Sequence, residues 1–248
     1  MMNDVLFFLV ILLSNVIQGI TGFAGTILAM PPCMMLAGYS VAKPVLNVLG
    51  LMSGIYVFVG KHKSVCWKEL KKIVIIMAFG IIGGILIRSA FTGKEQILYR
   101  LLGIFVIFLS LQGVYNLRQE SRGVPKREED SDSPVLYLLL AAAGVVHGIF
   151  VSGGPLLIGY LTKKVQDKVS FRATISTIWI FLNTMILVDD IRAGLWNVSL
   201  IRIQLIAIPF LFAGMYIGSR LYVKMSQKLF MMITYVLLFI SGVSLLIK

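Results

Sequence analysis

The sequence predicts an all-α polytopic membrane protein built from two inverted repeats. The 248-residue chain is 58% hydrophobic and 14% charged, whereas a soluble domain is nearer half apolar and a quarter charged. Long apolar runs follow one another along the whole chain, and features of the first half recur in the second. Each repeat is expected to contain a glycine-broken helix hairpin, either re-entrant or crossing twice, and three transmembrane helices.

The first apolar run, residues 2–38, is too long for one crossing. A single helix over it would measure about 50 Å, against a hydrocarbon core of about 30 Å. The run contains the stretch QGITGFAGT at 18–26 and two prolines, Pro31 and Pro32, and glycine and proline weaken a helix. A helix in lipid is broken only where protein groups or a polar cavity satisfy the freed backbone. This pattern predicts two shorter helices that meet at a polar site.

The other elements follow from the remaining apolar and polar segments. A second broken run, which contains HGIFVSGGP at 147–155, opens the second half at 135–161. The chain is divided into transmembrane repeat 1 (1–117), a polar cytoplasmic linker (118–134) and transmembrane repeat 2 (135–248). The unbroken spans are predicted at 45–59, 73–87, 97–115, 172–188, 200–218 and 229–247, with loops at 61–72 and 189–199 among those that join them.

Three pairs of residues support an internal duplication. Each pair is separated by the same 129 positions (147 minus 18): Gln18 and His147, Lys43 and Arg172, Trp67 and Trp196. A repeat of this length indicates a duplicated bundle rather than a solenoid. Transporters are often built from two such halves, with the substrate held between broken helices.

The distribution of basic residues predicts the topology. Sixteen of the 23 Lys and Arg residues lie in four loops, at 61–72, 116–134, 162–172 and 220–228. These loops share one side if each broken run either returns to the side it entered or crosses twice, and the positive-inside rule makes that side cytoplasmic. Both termini are then extracytoplasmic and the halves are inverted. The charge count does not separate a re-entrant hairpin from two crossings.

Several classes of function are disfavoured. None of the eleven acidic residues lies in the middle of a predicted span, which argues against a cation pump. The separate cysteines and the single loop histidine make a metal site improbable, and the sequence has no paired carboxylates or nucleophile–base pair for an enzyme. The basic residues lie in loops, so nucleic acid is not an expected partner. No cofactor is expected, the lipid bilayer is the expected surrounding, and a homodimer is left open.

The candidate site residues cluster at the two breaks. His147 is the one titratable side chain within a core apolar run; it is either a neutral histidine bonded to a neighbouring helix or a substrate donor and proton carrier. Lys43 and Arg172 either extend to the membrane interface or attract an anion. Helix N-termini at the breaks would add N–H donors. The predicted substrate-binding set is Gln18, Thr21, Gly22, Gly25, Lys43, Asn47, His147, Ser152, Gly153, Gly154, Pro155, Arg172 and Asn183.

The two broken stretches resemble a known family. GITGFAGTILAMPP in the first half and GIFVSGGPLLIGYL followed by FRATIS in the second are similar to the glycine-rich motifs of the TauE/SafE sulfite exporters, also called toluene-sulfonate uptake permeases. The similarity covers essentially the whole chain, although Ala24, Thr26 and Val151 stand where many members have glycine.

The resemblance implies a secondary transporter and probable exporter of small sulfur-containing oxyanions, such as sulfite, thiosulfate or organosulfonates, working by alternating access. A transporter of another solute class, such as a metal ion or a neutral metabolite, is the alternative. An integral-membrane enzyme or assembly factor has less support.

Overall fold

The computed structural model describes residues 2–90, 95–121, 134–165 and 167–221, and single positions at 232, 235, 236, 239, 240, 242, 243, 246 and 247. Within these residues the regular structure is entirely helical, which confirms the predicted all-α class. The α-helices with continuous bounds are α1 (Met2–Thr21), α2 (Ala24–Ala37), α3 (Tyr39–Lys61), α4 (Trp67–Ala90), α5 (Glu95–Ser121), α6 (Pro134–Phe150), α7 (Gly154–Lys164), α8 (Lys168–Arg192) and α9 (Val198–Leu221).

Six segments of the described chain are long and apolar enough to cross a membrane: Asn3–Thr21, Tyr39–Ser64, Trp67–Ala90, Arg100–Gln119, Val169–Arg192 and Val198–Leu221. The helices that follow the breaks are shorter. Helix α2 has 14 residues and α7 has 11, so at 1.5 Å per residue they are about 21 Å and 16 Å long. Each is shorter than the hydrocarbon core of about 30 Å.

Both long apolar runs are broken close to their glycine clusters. Helix α1 ends at Thr21 and α2 begins at Ala24, while Pro31 and Pro32 lie inside α2 rather than at the break. Gly22 has a φ of +82° and Val151, at the second break, has a φ of +55°. Glycine adopts this left-handed region readily, whereas a β-branched residue is strained there. The surrounding packing must therefore hold Val151 in place.

Helix ends recur with the same spacing as the sequence landmarks. Helix α1 ends at Thr21 and α6 at Phe150; α3 begins at Tyr39 and α8 at Lys168. Both pairs are 129 positions apart (150 minus 21, and 168 minus 39). Gly22 and Val151, the two left-handed residues at the breaks, have this spacing too.

The principal helix pairs cross between the halves. Helix α1 packs on α9, α4 packs on α6, and α3 packs on α8. Small residues bring the backbones close together at the first two contacts. A methyl group added at Gly218 would lie 2.1 Å from the Val16 carbonyl oxygen, and one added at Gly84 would lie 2.4 Å from that of Val145. Close packing of this kind is typical of helices in membranes.

The helices extend further than the predicted spans. Helix α4 begins at Trp67, so much of the predicted loop 61–72 is helical, and α8 continues through Asp189 and Asp190 to Arg192. The apolar runs predicted only the part of each helix that is apolar enough to lie in lipid. Polar residues beyond each run continue the helix. Helix α5 likewise runs to Ser121, while residues 122–133 of the predicted linker lie outside the described residues. Of the predicted span 229–247, the described positions are helical.

Asp167 caps the start of α8. Its carboxylate accepts a hydrogen bond from the Ser170 backbone N–H at 2.8 Å, and this bond holds the pKa of Asp167 below its usual value of 3.8. Because the pKa is depressed in the folded state, the stabilisation is present above the unfolded pKa and is lost as the pH falls through the folded pKa.

We expect Asp167→Ala to lower the Tm at neutral pH and to have no effect at a pH below the folded-state pKa of Asp167, where the carboxyl group is protonated. Asp167→Asn should keep much of the cap, because asparagine also accepts from backbone N–H groups, but without the pH dependence. Thermal unfolding in detergent at both pH values measures this. An equal effect of Asp167→Ala at both would contradict the assignment.

Candidate functional site

A small cavity of about 10 Å³, room for about one water molecule, lies where the two breaks meet α3 and α8. Both halves of the chain contribute to its wall. Its lining residues are Gln18, Phe23, Thr26, Gly50, His147, Val151, Ser152, Gly154, Trp179 and Asn183. The polar members converge on one space enclosed by aromatic and aliphatic groups, as is usual for small-solute sites.

A histidine–asparagine pair forms one wall of the cavity. His147, only 2% exposed, lies with its Nε2 at 2.8 Å from Asn183 Oδ1. Its ring stacks on Trp179, with centroids 5.0 Å apart and planes inclined by 27°. The Nδ1 atom of His147 is buried without a hydrogen-bond partner among the described residues. A buried polar atom without a partner is costly, so this nitrogen is available for a ligand or water in the cavity.

At the first break, side chains of α1 accept hydrogen bonds from the free backbone N–H groups at the start of α2. Thr21 Oγ1 accepts from the N–H of Ala24 at 3.1 Å, and Gln18 Oε1 accepts from the N–H of Gly25 at 2.8 Å. Gln18 also donates to Ser53 Oγ at 3.2 Å. The N-terminus of α2 is therefore capped by side chains of α1, in the manner that free helix N–H groups require.

The second break leaves its helix N-terminus without such a cap. Gly153 precedes α7, and no side chain accepts a bond at this end of the helix within the described structure. Gly154 lines the cavity. A methyl group added at Gly153 would lie 2.2 Å from the Ala143 carbonyl oxygen, so the break packs tightly on α6. Partial positive charge at the start of α7 thus lies beside His147.

Arg172 and Trp179 hold the first break from α8. The Arg172 guanidinium donates to the Gly19 carbonyl oxygen at 2.5 Å and to Ser219 Oγ at 3.2 Å, and Trp179 Nε1 donates to the Gly22 carbonyl oxygen at 3.0 Å. The last carbonyl groups of a helix lack intrahelical partners and attract cations. Arg172 thus lies at the C-terminal end of α1.

Lys43 lies in a buried ion cluster instead of facing the cavity. It is ion-paired with Asp190, and both side chains are fully buried. Asp189 lies 3.7 Å from Lys43 and 2.5 Å from Arg88 of α4. The sequence placed both aspartates in a loop; the structure places them in the last turns of α8, within a candidate span. The predicted loop assignment is therefore wrong for both aspartates, because α8 continues to Arg192; both lie at the end of the span rather than in its middle.

Comparison with known proteins identifies the family. Residues 7–245 match the family described as "Sulfite exporter TauE/SafE". The chain belongs to the TauE/SafE family. A relative from Comamonas testosteroni, a "Probable inner membrane transporter protein TsaS", is 22% identical over 184 residues, which cover 74% of this chain and 73% of the relative. No solved structure matches the chain. This TauE/SafE protein is a multi-pass transporter of the cell membrane, and its family is one of transporters rather than enzymes.

The structure brings five of the thirteen predicted site residues of this TauE/SafE protein to the cavity wall: Gln18, His147, Ser152, Gly154 and Asn183. Another five lie at the breaks or next to the wall: Thr21, Gly22, Gly25, Asn47 and Gly153. Asn47 donates to the Asn183 carbonyl oxygen at 3.0 Å. Pro155 lines a separate space of about 270 Å³, Arg172 binds the end of α1, and Lys43 lies in the ion cluster.

Sequence reasoning missed five lining residues: Phe23, Thr26, Gly50, Val151 and Trp179. One available signal was the repeat itself. Gly50 and Trp179 are separated by the same 129 positions (179 minus 50), and both face the cavity from equivalent helices. The close approach of Asn183 explains the glycine, because a methyl group at Gly50 would lie 2.6 Å from Asn183 Nδ2.

Proposed function

We propose that this TauE/SafE transporter moves small sulfur-containing oxyanions, such as sulfite, thiosulfate or organosulfonates, through the cavity between the breaks. One observation carries the proposal: a buried histidine with an unpartnered nitrogen lies beside an uncapped helix N-terminus. Helix N-termini bind anions through free N–H groups and the helix dipole. The family description points to the same substrates, and the cavity must widen to admit them because it now has room for about one water molecule.

The second break is the principal anion site in this proposal. The start of α7 and Gly154 offer backbone contacts, while His147 and Asn183 offer hydrogen bonds from the side. Because Nε2 already faces the Asn183 oxygen, His147 donates through Nδ1 to the anion only when it takes a second proton. Trp179 and Phe23 exclude water and strengthen these bonds.

The first break completes the site only after Gln18 moves. Its Oε1 now occupies the Gly25 N–H that an anion would use, so the side chain must rotate before both breaks bind the substrate together. We infer that the halves are inverted repeats that rock against each other to give alternating access. Both termini are extracytoplasmic in this arrangement, as the basic loops suggest.

Exchange across liposomes tests the proposal. Purified protein is reconstituted into liposomes loaded with sulfite, thiosulfate or methanesulfonate, and uptake of the same labelled anion is followed at equal concentrations on both sides. At least one anion should exchange at a rate that scales with the amount of protein and exceeds that of empty liposomes. Exchange of none of the three, or protein-dependent flux of a metal ion or neutral metabolite instead, would contradict the proposal.

We expect His147→Leu to lower anion exchange at least tenfold, because the apolar side chain removes both ring nitrogens from the cavity. His147→Gln should keep more exchange, since glutamine is the equivalent residue of the first half and still offers donors. His62→Gln is the matched control, because His62 is exposed outside the cavity. Initial rates measured over a range of anion concentrations show whether KM rises. Equal rates for His147→Leu and the parent protein would remove His147 from the site.

A further inference from the structure

The buried ion cluster lies within the bundle and includes an unpaired acceptor. Lys43 and Arg88 face Asp189 and Asp190, so its two positive and two negative charges balance. Asp190 uses Oδ1 for Lys43, whereas its Oδ2 is buried without a hydrogen-bond partner among the described residues. A structural ion pair at a buried site normally has its remaining lone pairs satisfied. The open oxygen is therefore a candidate binding position.

A line of polar groups joins this cluster to the cavity. Lys43, Asn47 and Gly50 lie at successive turns on one face of α3, and Gly50 lines the cavity. Asn47 Nδ2 donates to the Asn183 carbonyl oxygen, and the Asn183 side chain binds His147. Three atoms along this line are buried without a partner among the described residues: Asp190 Oδ2, Asn47 Oδ1 and His147 Nδ1. Two are oxygen acceptors, and the third accepts while His147 is neutral, so in that state the line suits protons or water.

We propose that Asp190 binds a proton that is transported together with the anion. This inference rests on the proposed anion transport. The proton adds to Oδ2 of Asp190 from one side of the membrane and leaves to the other, and no other bond forms or breaks. A site of this kind is typical of proton relays, where an intramembrane carboxylate faces the bundle interior.

Charge balance explains the coupling. While Asp190 is charged, the cluster is neutral and does not attract an anion. When Asp190 takes a proton, Lys43 loses its closest counter-ion, keeps Asp189 at 3.7 Å, and the cluster carries one positive charge. Gly50 at the cavity is seven residues from Lys43, about 10 Å along the helix, and charges at that distance interact appreciably inside a protein. An anion in the cavity then favours the protonated state, and the protonated state favours the anion.

The groups that face Asp190 come from each neighbouring helix. Lys43 and Tyr39 belong to α3, Arg88 to α4, and Asp189 to α8 itself. Tyr39 donates its hydroxyl to the Ile149 carbonyl oxygen at the end of α6, so the cluster also touches the second break. Movement of a proton with a monovalent anion is electroneutral, and its direction follows the two concentration gradients.

The number of protons that enter with each anion, the proton-to-anion ratio, tests the proposal. Liposomes with the protein and an internal pH dye receive an inward gradient of thiosulfate or methanesulfonate, which stay ionised near neutral pH, with the membrane potential clamped at zero. Sulfite is run at alkaline pH, where it is fully deprotonated and carries no proton of its own into the liposome. The protons that enter per labelled anion are compared among variants. The parent protein should acidify the interior as the anion enters, and Asp190→Asn should lower the ratio at least tenfold.

Two further variants keep the test decisive. Lys43→Met combined with Asp190→Asn removes both charges of the pair and avoids an unpaired lysine. This double variant should also have a proton-to-anion ratio at least tenfold lower than that of the parent protein. Glu69→Gln is the matched control, because Glu69 is a second buried carboxylate, bound by Tyr160 at 2.8 Å outside the cluster, and it should keep the ratio. Anion entry without acidification, or an unchanged ratio in Asp190→Asn, overturns this inference and leaves the proposed function standing. Absence of any anion movement overturns both.

Discussion

Lys43→Met should lower the free energy of unfolding by about 3–5 kcal/mol, because the substitution leaves Asp190 buried as a charge without its closest cation. Lys43 and Asp190 are both fully buried, so water cannot replace the lost partner. Arg88 compensates only in part, since its Nη1 lies 3.6 Å from Asp190 Oδ1. Unfolding of the purified protein in mixed detergent micelles, titrated with a denaturing detergent, measures the difference.

Removing both charges shows how much of the destabilisation by Lys43→Met comes from the unpaired charge of Asp190 and how much from the changed side-chain volume. The double variant with Asp190→Asn should recover most of the stability, because replacing a whole buried ion pair by neutral groups is often nearly neutral. Lys72→Met is the matched control: Lys72 is 41% exposed and 3.5 Å from Glu69, and surface ion pairs contribute at most about 1 kcal/mol. If Lys43→Met were no more destabilising than Lys72→Met, the buried pair would not be an important part of the folded structure.

Gly84→Ala should cost about 3 kcal/mol, at the upper end of typical overpacking effects. The added methyl group would lie 2.4 Å from the Val145 carbonyl oxygen and 3.2 Å from Gly148 Cα. Both obstacles are backbone, so α4 and α6 must separate to admit it. The same detergent titration measures the loss.

Gly83→Ala is the natural comparison, one position earlier on the same helix. Its methyl group would meet only a Val145 side-chain atom at 3.9 Å, an ordinary contact. Alanine is also the better helix former by up to about 1 kcal/mol, so this variant should be neutral or slightly more stable. Similar losses for the two variants would mean that the α4–α6 contact is looser than the structure shows.

Much of the fold could be predicted because lipid restricts the choices. Apolar runs of sufficient length must be helices, and the density of glycine at 19–25 and 148–154 indicated where two of them break. The same stretches indicated the site, since Gln18, His147 and Gly154 were chosen for their positions at the breaks and all line the cavity. Apolar composition and glycine positions were therefore enough to predict the helices that lie in lipid and the points where two of them break.

The remainder depended on partners distant in the chain. Asp190 looks like a loop residue because charges usually end a span, and only contact with Lys43, 147 positions earlier (190 minus 43), makes it a buried helical residue. Trp179 appears in the sequence as an ordinary apolar residue of a span. Its bond to Gly22 and its stacking on His147 depend on which helices cross, and apolar patterning contains no information about that.

The crossed helix pairs determine the order in which the protein can be assembled. Helices α1 and α4 both belong to the first half, yet their most extensive partners, α9 and α6, belong to the second. These two helices can therefore pair with those partners only after the second half has been synthesised. The two halves are similar in sequence pattern, but each packs mainly on the other. A chain cleaved between the halves should therefore yield two fragments that are stable only when they associate.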